Sequence, residues 1–97
     1  MSQSNTKSEE FYSRFLEQLI NSQEWPGIYL FKFVVKSESS HLINLKLLFD
    51  GLNPDFSEKQ SSKKTFTSLS IKLKMNSADN VIKIYKKASA LEGVMAL

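Results

Sequence analysis

A chain of 97 residues has room for one domain, and its 41% hydrophobic and 24% charged residues are ordinary for a globular protein. It contains no cysteine, which excludes a disulfide framework, a thiolate nucleophile and a zinc or iron–sulfur site held by cysteine. Residues 1–50 hold five Lys or Arg against six Asp or Glu, and residues 51–97 hold eight Lys against four, so the net charge of +3 comes from the second half. This mild excess, interspersed with apolar residues, is typical of a solvated surface.

The first residues are polar and lack the apolar stretch of a signal peptide. No apolar run in the chain is long enough to span a membrane. We therefore expect a cytoplasmic protein with no membrane association.

The first predicted element is an amphipathic helix over about residues 7–22. Its apolar residues form two neighbouring rows with a four-residue period: Phe11, Phe15 and Leu19 in one, and Tyr12, Leu16 and Ile20 in the other. Trp25-Pro26-Gly27 ends the helix, because a proline cannot continue its hydrogen bonds. We expect the tryptophan to close the core below this turn.

Two strands are predicted from alternating side chains, over residues 28–36 and 65–75. The core face of these strands is predicted to carry Tyr29, Phe31, Phe33, Val35, Leu69, Ile71, Leu73 and Met75. The opposite face is predicted to carry Leu30, Lys32, Val34, Lys36, Phe66, Ser68, Ser70, Lys72 and Lys74.

The remaining elements are a helix over residues 40–50, a weak strand over 55–60, a helix over 77–90 and a short final strand over 94–97. The first of these helices has a leucine-rich stripe and is followed by Gly51, at the position where a left-handed residue ends a helix. Ser77 is the expected cap of the last helix.

These elements give the order βαββαβ after an additional N-terminal helix. That order predicts an α+β, ferredoxin-like split sandwich, in which two helices cover one face of a four-stranded antiparallel sheet. The expected organisation is a single domain over residues 1–97, with a tail and helix over 1–24 and the ferredoxin-like core over 25–97.

Two segments together carry a family resemblance: Trp25-Pro26-Gly27-Ile28-Tyr29-Leu30-Phe31-Lys32, and the run from Ser61-Ser62-Lys63 to Ile71. Residues 25–97 resemble the YbeD-like family of small bacterial proteins, sometimes labelled lipoate-regulatory. The resemblance implies a ferredoxin-like fold close to ACT-type regulatory domains and no established catalytic residues. Where that family tends to have Pro-Ser-Ser-Lys-Gly-x-Tyr, this chain replaces the proline, the glycine and the tyrosine with Gln60, Lys64 and Phe66.

The catalytic chemistries that leave a sequence signature are not indicated. His41 is the only histidine and has no cysteine or second histidine to share a metal, so we expect no metal site and read it as a helix-start residue. The three glycines are too far apart for a phosphate loop, and no nucleophile elbow is present. We expect neither a cofactor nor an enzymatic activity.

The candidate surface lies at one end and on one face of the predicted sheet. It consists of Lys32, Ser61, Ser62, Lys63, Phe66 and Ser68. The hydroxyls and ammonium groups of the 61–63 segment suit a small anion, although the same composition is typical of a plain hydrophilic turn.

We therefore expect a non-catalytic regulatory or protein-interaction module that binds a protein or a small anionic ligand. Nucleic-acid binding through the lysines of the sheet is the alternative, but such a sheet needs two or three stacking aromatics and only Phe66 qualifies. The apolar residues on the second face need a cover. Either the N-terminal helix or a second copy of the chain, in a homodimer, would supply one.

Overall fold

The structure, a computed structural model, describes residues 6–37 and 40–96, and the side chains of Thr6 and Ser8 are not part of the description. Within these ranges lie three helices and four strands. They are α1 (Thr6–Ser22), β1 (Gly27–Lys36), α2 (Ser40–Leu47), β2 (Asp55–Gln60), β3 (Phe66–Met75), α3 (Ala78–Ser89) and β4 (Val94–Ala96).

Along the chain the described elements run helix, strand, helix, strand, strand, helix, strand, and α2 is shorter than the sequence predicts. This helix ends at Leu47, and residues 48–50 continue as a tighter turn whose N–H groups bond to the carbonyl three residues earlier. Gly51 follows with a φ of 81°, the left-handed conformation expected after a helix. Ser77 caps α3, because its hydroxyl accepts a hydrogen bond from the N–H of Asn80 at 3.2 Å.

The four strands form one sheet in the order β2-β3-β1-β4, and all three neighbouring pairs are antiparallel. The protein is therefore an α+β protein with a four-stranded antiparallel sheet, an arrangement consistent with a ferredoxin-like fold. β2 and β4 are the edge strands.

The predicted core face of the sheet is confirmed. Phe31 pairs with Ile71 and Phe33 with Leu69 in the β1–β3 register, and all four side chains are at most 1% exposed. The helices add Leu45, Phe49 and Val81 to the same cluster. The two-residue alternation of β1 and β3 therefore places one face under the helices and leaves the other face outside.

The helix α1 does not cover that outer face, so of the two possible covers the N-terminal helix of the same chain is excluded. It packs instead beside α3, on the helical side of the sheet. The rings of Phe15 and Tyr85 lie 5.2 Å apart, and Leu19 is buried in the core. The indole N–H of Trp25 donates to the carbonyl of Leu19 at 2.9 Å, and the tryptophan packs against the core as predicted.

Candidate functional site

The β2–β3 hairpin turn is organised by Ser61. Its N–H donates to the carbonyl of Phe66 at 2.8 Å, and its hydroxyl accepts hydrogen bonds from the N–H groups of Thr65 and Phe66, both at 3.2 Å. The N–H of Lys64 donates to the carbonyl of Ser61 at 2.8 Å. Ser61 is thus committed to the turn, while the neighbouring Ser62 and Lys63 are exposed at its tip.

The same turn contains Lys64, at the position where the family that the chain resembles tends to have glycine. Lys64 has a φ of 59°, a left-handed conformation that side chains other than those of Gly, Asn and Asp rarely adopt. The turn therefore forms without glycine, and the lysine bears the steric cost of that conformation.

The outer face of the sheet, which we call the open face, is defined by the strand registers. Its β1 column is Ile28, Leu30, Lys32, Val34 and Lys36; its β3 column is Lys74, Lys72, Ser70, Ser68 and Phe66; β2 adds Asp55, Ser57 and Lys59, and β4 adds Met95. Four of these side chains are large, apolar and exposed: Ile28, Leu30, Phe66 and Met95.

Lysines and apolar side chains stand side by side on this face. Lys74 lies opposite Ile28, and Lys72 lies opposite Leu30. Directly opposed residues in an antiparallel pair have Cβ atoms about 5 Å apart. The open face is therefore neither a simple charged surface nor a simple hydrophobic patch.

The structure brings the six predicted site residues to the same part of the sheet but does not gather them into one pocket. Lys32, Phe66 and Ser68 belong to the open face, and the 61–63 segment lies beyond Phe66 at the hairpin tip. Lys32 pairs with Ser70, four residues along β3 from Phe66, which corresponds to about 13 Å. The predicted set is thus a band running from the hairpin tip to the middle of β1.

Sequence reasoning left Lys59, Met95 and Ile28 out of this face. Lys59 pairs with Ser68, and Met95 pairs with Val34. β2 is exposed along its whole length, so its sequence has no apolar alternation from which to assign faces. Only the register with β3 shows that Lys59 belongs to the open face.

A groove lies on the opposite side of the molecule, between α1, α3 and β4. This groove of about 330 Å³ is lined mainly by aromatic and small side chains: Phe11, Tyr12, Phe15, Phe33, Tyr85, Ala88, Ser89, Val94 and Ala96. Burial raises the pKa of the Tyr85 hydroxyl above its ordinary value, and a hydrogen bond with the Tyr29 hydroxyl at 3.3 Å adds to this effect. Sequence reasoning missed the groove, because it depends on where α1 packs.

In the portion of the chain that the structure describes, no group of three or more His, Asp or Glu side chains is placed to hold a metal ion. His41, in the first turn of α2, contacts Gly93 in the turn before β4. Among the described helices, none has the length and apolar character needed to cross a membrane.

The chain was compared with protein families, curated proteins and solved structures. The model of a family described as a protein of unknown function (DUF493) matches residues 21–97. The structure is similar to the crystal structure of the ACT domain from GTP pyrophosphokinase of Chlorobium tepidum, with a TM-score of 0.51 and 10% identity over 73% of this chain and 100% of that one. Among curated proteins, none matches. At this identity the structural likeness supports the fold alone.

Proposed function

The chain belongs to the DUF493 family, which is the family of the YbeD-like proteins, and on this premise we propose that it is a non-catalytic regulatory or protein-interaction module with a ferredoxin-like core. The observation that carries the proposal is the open face, where exposed apolar side chains of β1 lie beside lysines of β1 and β3. Exposed apolar side chains that are grouped on one face and bordered by polar residues are typical of a protein-interaction site.

The likeness to an ACT domain supports the architecture of the proposed module, and its function is argued from the open face. Catalysis would require titratable groups converging in a cleft. The raised pKa of Tyr85 is explained by its burial and by its hydrogen bond with Tyr29, so it does not by itself indicate a catalytic group. The open face offers ammonium, hydroxyl and aliphatic groups, which suit recognition.

The hairpin tip is the proposed subsite for a small anionic group. Ser62 and Lys63 are exposed there and can offer a hydroxyl and an ammonium group to a carboxylate or phosphate. Ser61 positions them through its hydrogen bonds within the turn. Lys32 is too far along β1 to share that subsite, so it contributes to the wider surface of the sheet.

Site-specific photo-crosslinking tests the proposed surface. A photoreactive residue replacing Ser68 on the open face is compared with one replacing Lys83, an exposed residue of α3 on the helical side. In a lysate of the source organism, we expect the probe at Ser68, and not the probe at Lys83, to capture a defined partner. The captured partner is then titrated against the Ser62→Ala/Lys63→Ala variant, and unchanged affinity would remove the hairpin tip from the site.

Nucleic-acid binding is the second candidate, and the lysines of the open face are the observation in its favour. They are Lys32, Lys36, Lys59, Lys72 and Lys74. A gel-shift assay with single-stranded and duplex oligonucleotides at low salt tests it, because contacts to phosphates weaken steeply as salt rises. Retardation that is lost in a Lys32→Glu/Lys72→Glu variant would favour this function, and no retardation would eliminate it.

A further inference from the structure

The charge of the protein is concentrated on the open face. Five lysines and one aspartate, Asp55, give this face a net charge of +4, while the whole chain has +3, so the remaining residues sum to −1. A surface with this imbalance attracts acidic partners and repels a second copy of itself. The charge therefore argues against a homodimer in which two open faces meet.

The apolar part of the face runs along β1 and is aliphatic. Ile28 and Leu30 are about half exposed, Val34 is partly buried, and Met95 of β4 lies beside Val34. Nucleic-acid bases stack on aromatic rings, and Phe66 is the aromatic residue that the registers assign to this face. Aliphatic side chains in a row suit the apolar stripe of a protein helix better than they suit bases.

The dimensions of the row fit such a helix. Val34 lies six positions after Ile28, which corresponds to about 20 Å along the strand. An α-helix of about 14 residues has that length and presents an apolar residue every three or four positions. Lys72 and Lys74 flank the row on the β3 side, and Lys32 interrupts it near the middle, so acidic residues are needed beside the partner's apolar stripe.

Building on the proposed function, we propose that the open face binds an acidic amphipathic α-helix of a partner protein, aligned along β1. The partner's leucine-like residues contact Ile28, Leu30 and Val34, and its carboxylates pair with Lys32 and Lys72. The aliphatic stems of these lysines extend the apolar contact, because long cationic side chains bury their methylenes while keeping the charge in water.

Designed peptides provide the probes for this proposal. The first is a helical peptide of about 14 residues with leucines at i, i+3, i+4 and i+7 and glutamates on the flanks. A second peptide replaces every glutamate with lysine, and a third scrambles the acidic peptide so that its stripe is lost. Binding is measured by fluorescence anisotropy at low salt and about 0.3 M salt, and backbone amide shifts in NMR locate the surface.

We expect the acidic peptide to bind and to shift amides of β1 and β3, with the basic and scrambled peptides binding at least about tenfold more weakly. Lys32→Glu/Lys72→Glu is expected to weaken binding by about tenfold or more, while Lys83→Glu on α3 changes it little. A Leu30→Ser variant removes apolar contact without changing charge and should weaken binding while leaving its salt dependence intact. Amide spectra of each variant confirm that it is folded.

Equal binding of the acidic and basic peptides, binding of none of them, or shifts confined to the groove beside α1 would overturn the proposal. So would tighter binding of an oligonucleotide or of vesicles containing an anionic lipid to the same amides. The crosslinking experiment distinguishes a failure of this proposal from a failure of the proposed function. A partner captured at Ser68 that contains no acidic helix would refute the helix and leave the interaction surface standing, whereas no capture there would refute the surface.

Discussion

The ring of His41 lies against Gly93, so that a Cβ on residue 93 would come within 2.7 Å of the His41 Nε2 atom. Gly93 also has a φ of 78°, a conformation that a residue with a side chain rarely adopts. The contact joins the first turn of α2 to the turn that leads into β4.

Gly93→Ala should therefore lower the free energy of unfolding by about 2 kcal/mol or more, through the clash and the strained backbone together. His41→Ala/Gly93→Ala should recover about 1 kcal/mol of this loss relative to the sum of the single variants, because the clash is removed and the strain remains. Urea denaturation of the four proteins measures the coupling. Strict additivity would show that the contact does not constrain residue 93.

At Lys64, which has a left-handed conformation, we expect a substitution to stabilise the protein, in contrast to the substitution at Gly93. Lys64→Gly should raise the free energy of unfolding by about 0.5–1 kcal/mol, because glycine adopts this conformation without the steric cost that a lysine bears. Lys63→Gly is the matched control and should be neutral or slightly destabilising. Chemical denaturation measures both, and a loss of stability in Lys64→Gly would contradict the described turn.

A third prediction tests which side of α1 faces the core. Leu19 is 4% exposed and Ile20, its neighbour, is 52% exposed. Leu19→Ala should destabilise the protein by about 2–5 kcal/mol, whereas Ile20→Ala should change the stability by less than about 0.5 kcal/mol. Thermal and urea denaturation distinguish the two. Similar losses for both variants would mean that α1 packs in another orientation.

The sequence predicted the sheet better than it predicted the position of α1. The two-residue period of β1 and β3 admits one assignment of faces, because a slip of one residue would move Phe31 and Ile71 out of the core. The apolar stripe of α1, in contrast, looks the same whichever surface it covers. The contacts of Phe15 with Tyr85 and of Leu19 with the core decide its place, and they depend on tertiary packing.

The sequence likewise predicted one part of the candidate site and missed another. Alternation correctly assigned Lys32, Phe66 and Ser68 to one face of the sheet. It could not show that the Ser61 hydroxyl is used within the turn, because a serine in a polar segment has the same signature whether it binds a ligand or its own backbone. Nor could it place Lys59, because β2 is exposed along its whole length and has a single apolar residue, Phe56, from which to assign its faces.

The hydroxyl pair of Tyr29 and Tyr85 predicts a pH dependence of stability. The pKa of Tyr85 is raised in the folded protein, first by burial and then by Tyr29. Above about pH 10 the unfolded chain therefore releases a proton that the folded protein retains, which favours unfolding. This contribution to stability is complete below about pH 10 and is lost progressively as the pH rises.

Urea denaturation between neutral pH and pH 11 tests this, with Tyr85→Phe expected to show a shallower decline in the alkaline range than the unmodified protein. Tyr12→Phe is the control, since the Tyr12 hydroxyl bonds to Ser89 at an exposed position. It should decline as the unmodified protein does. An unchanged alkaline decline in Tyr85→Phe would mean that other groups account for it.

The hairpin turn contains Ser61, which is hydrogen-bonded within the turn, and Ser62, which belongs to the proposed anion subsite. The Ser61 hydroxyl accepts two backbone N–H groups, so Ser61→Ala should cost about 1 kcal/mol of stability. Ser62→Ala should change stability by less than about 0.5 kcal/mol, because Ser62 is exposed at the tip. In a titration with the captured partner, Ser62→Ala/Lys63→Ala should weaken binding without a change in stability. If Ser62→Ala were as destabilising as Ser61→Ala, the tip would be part of the folded framework, and an anion subsite there would lose its support.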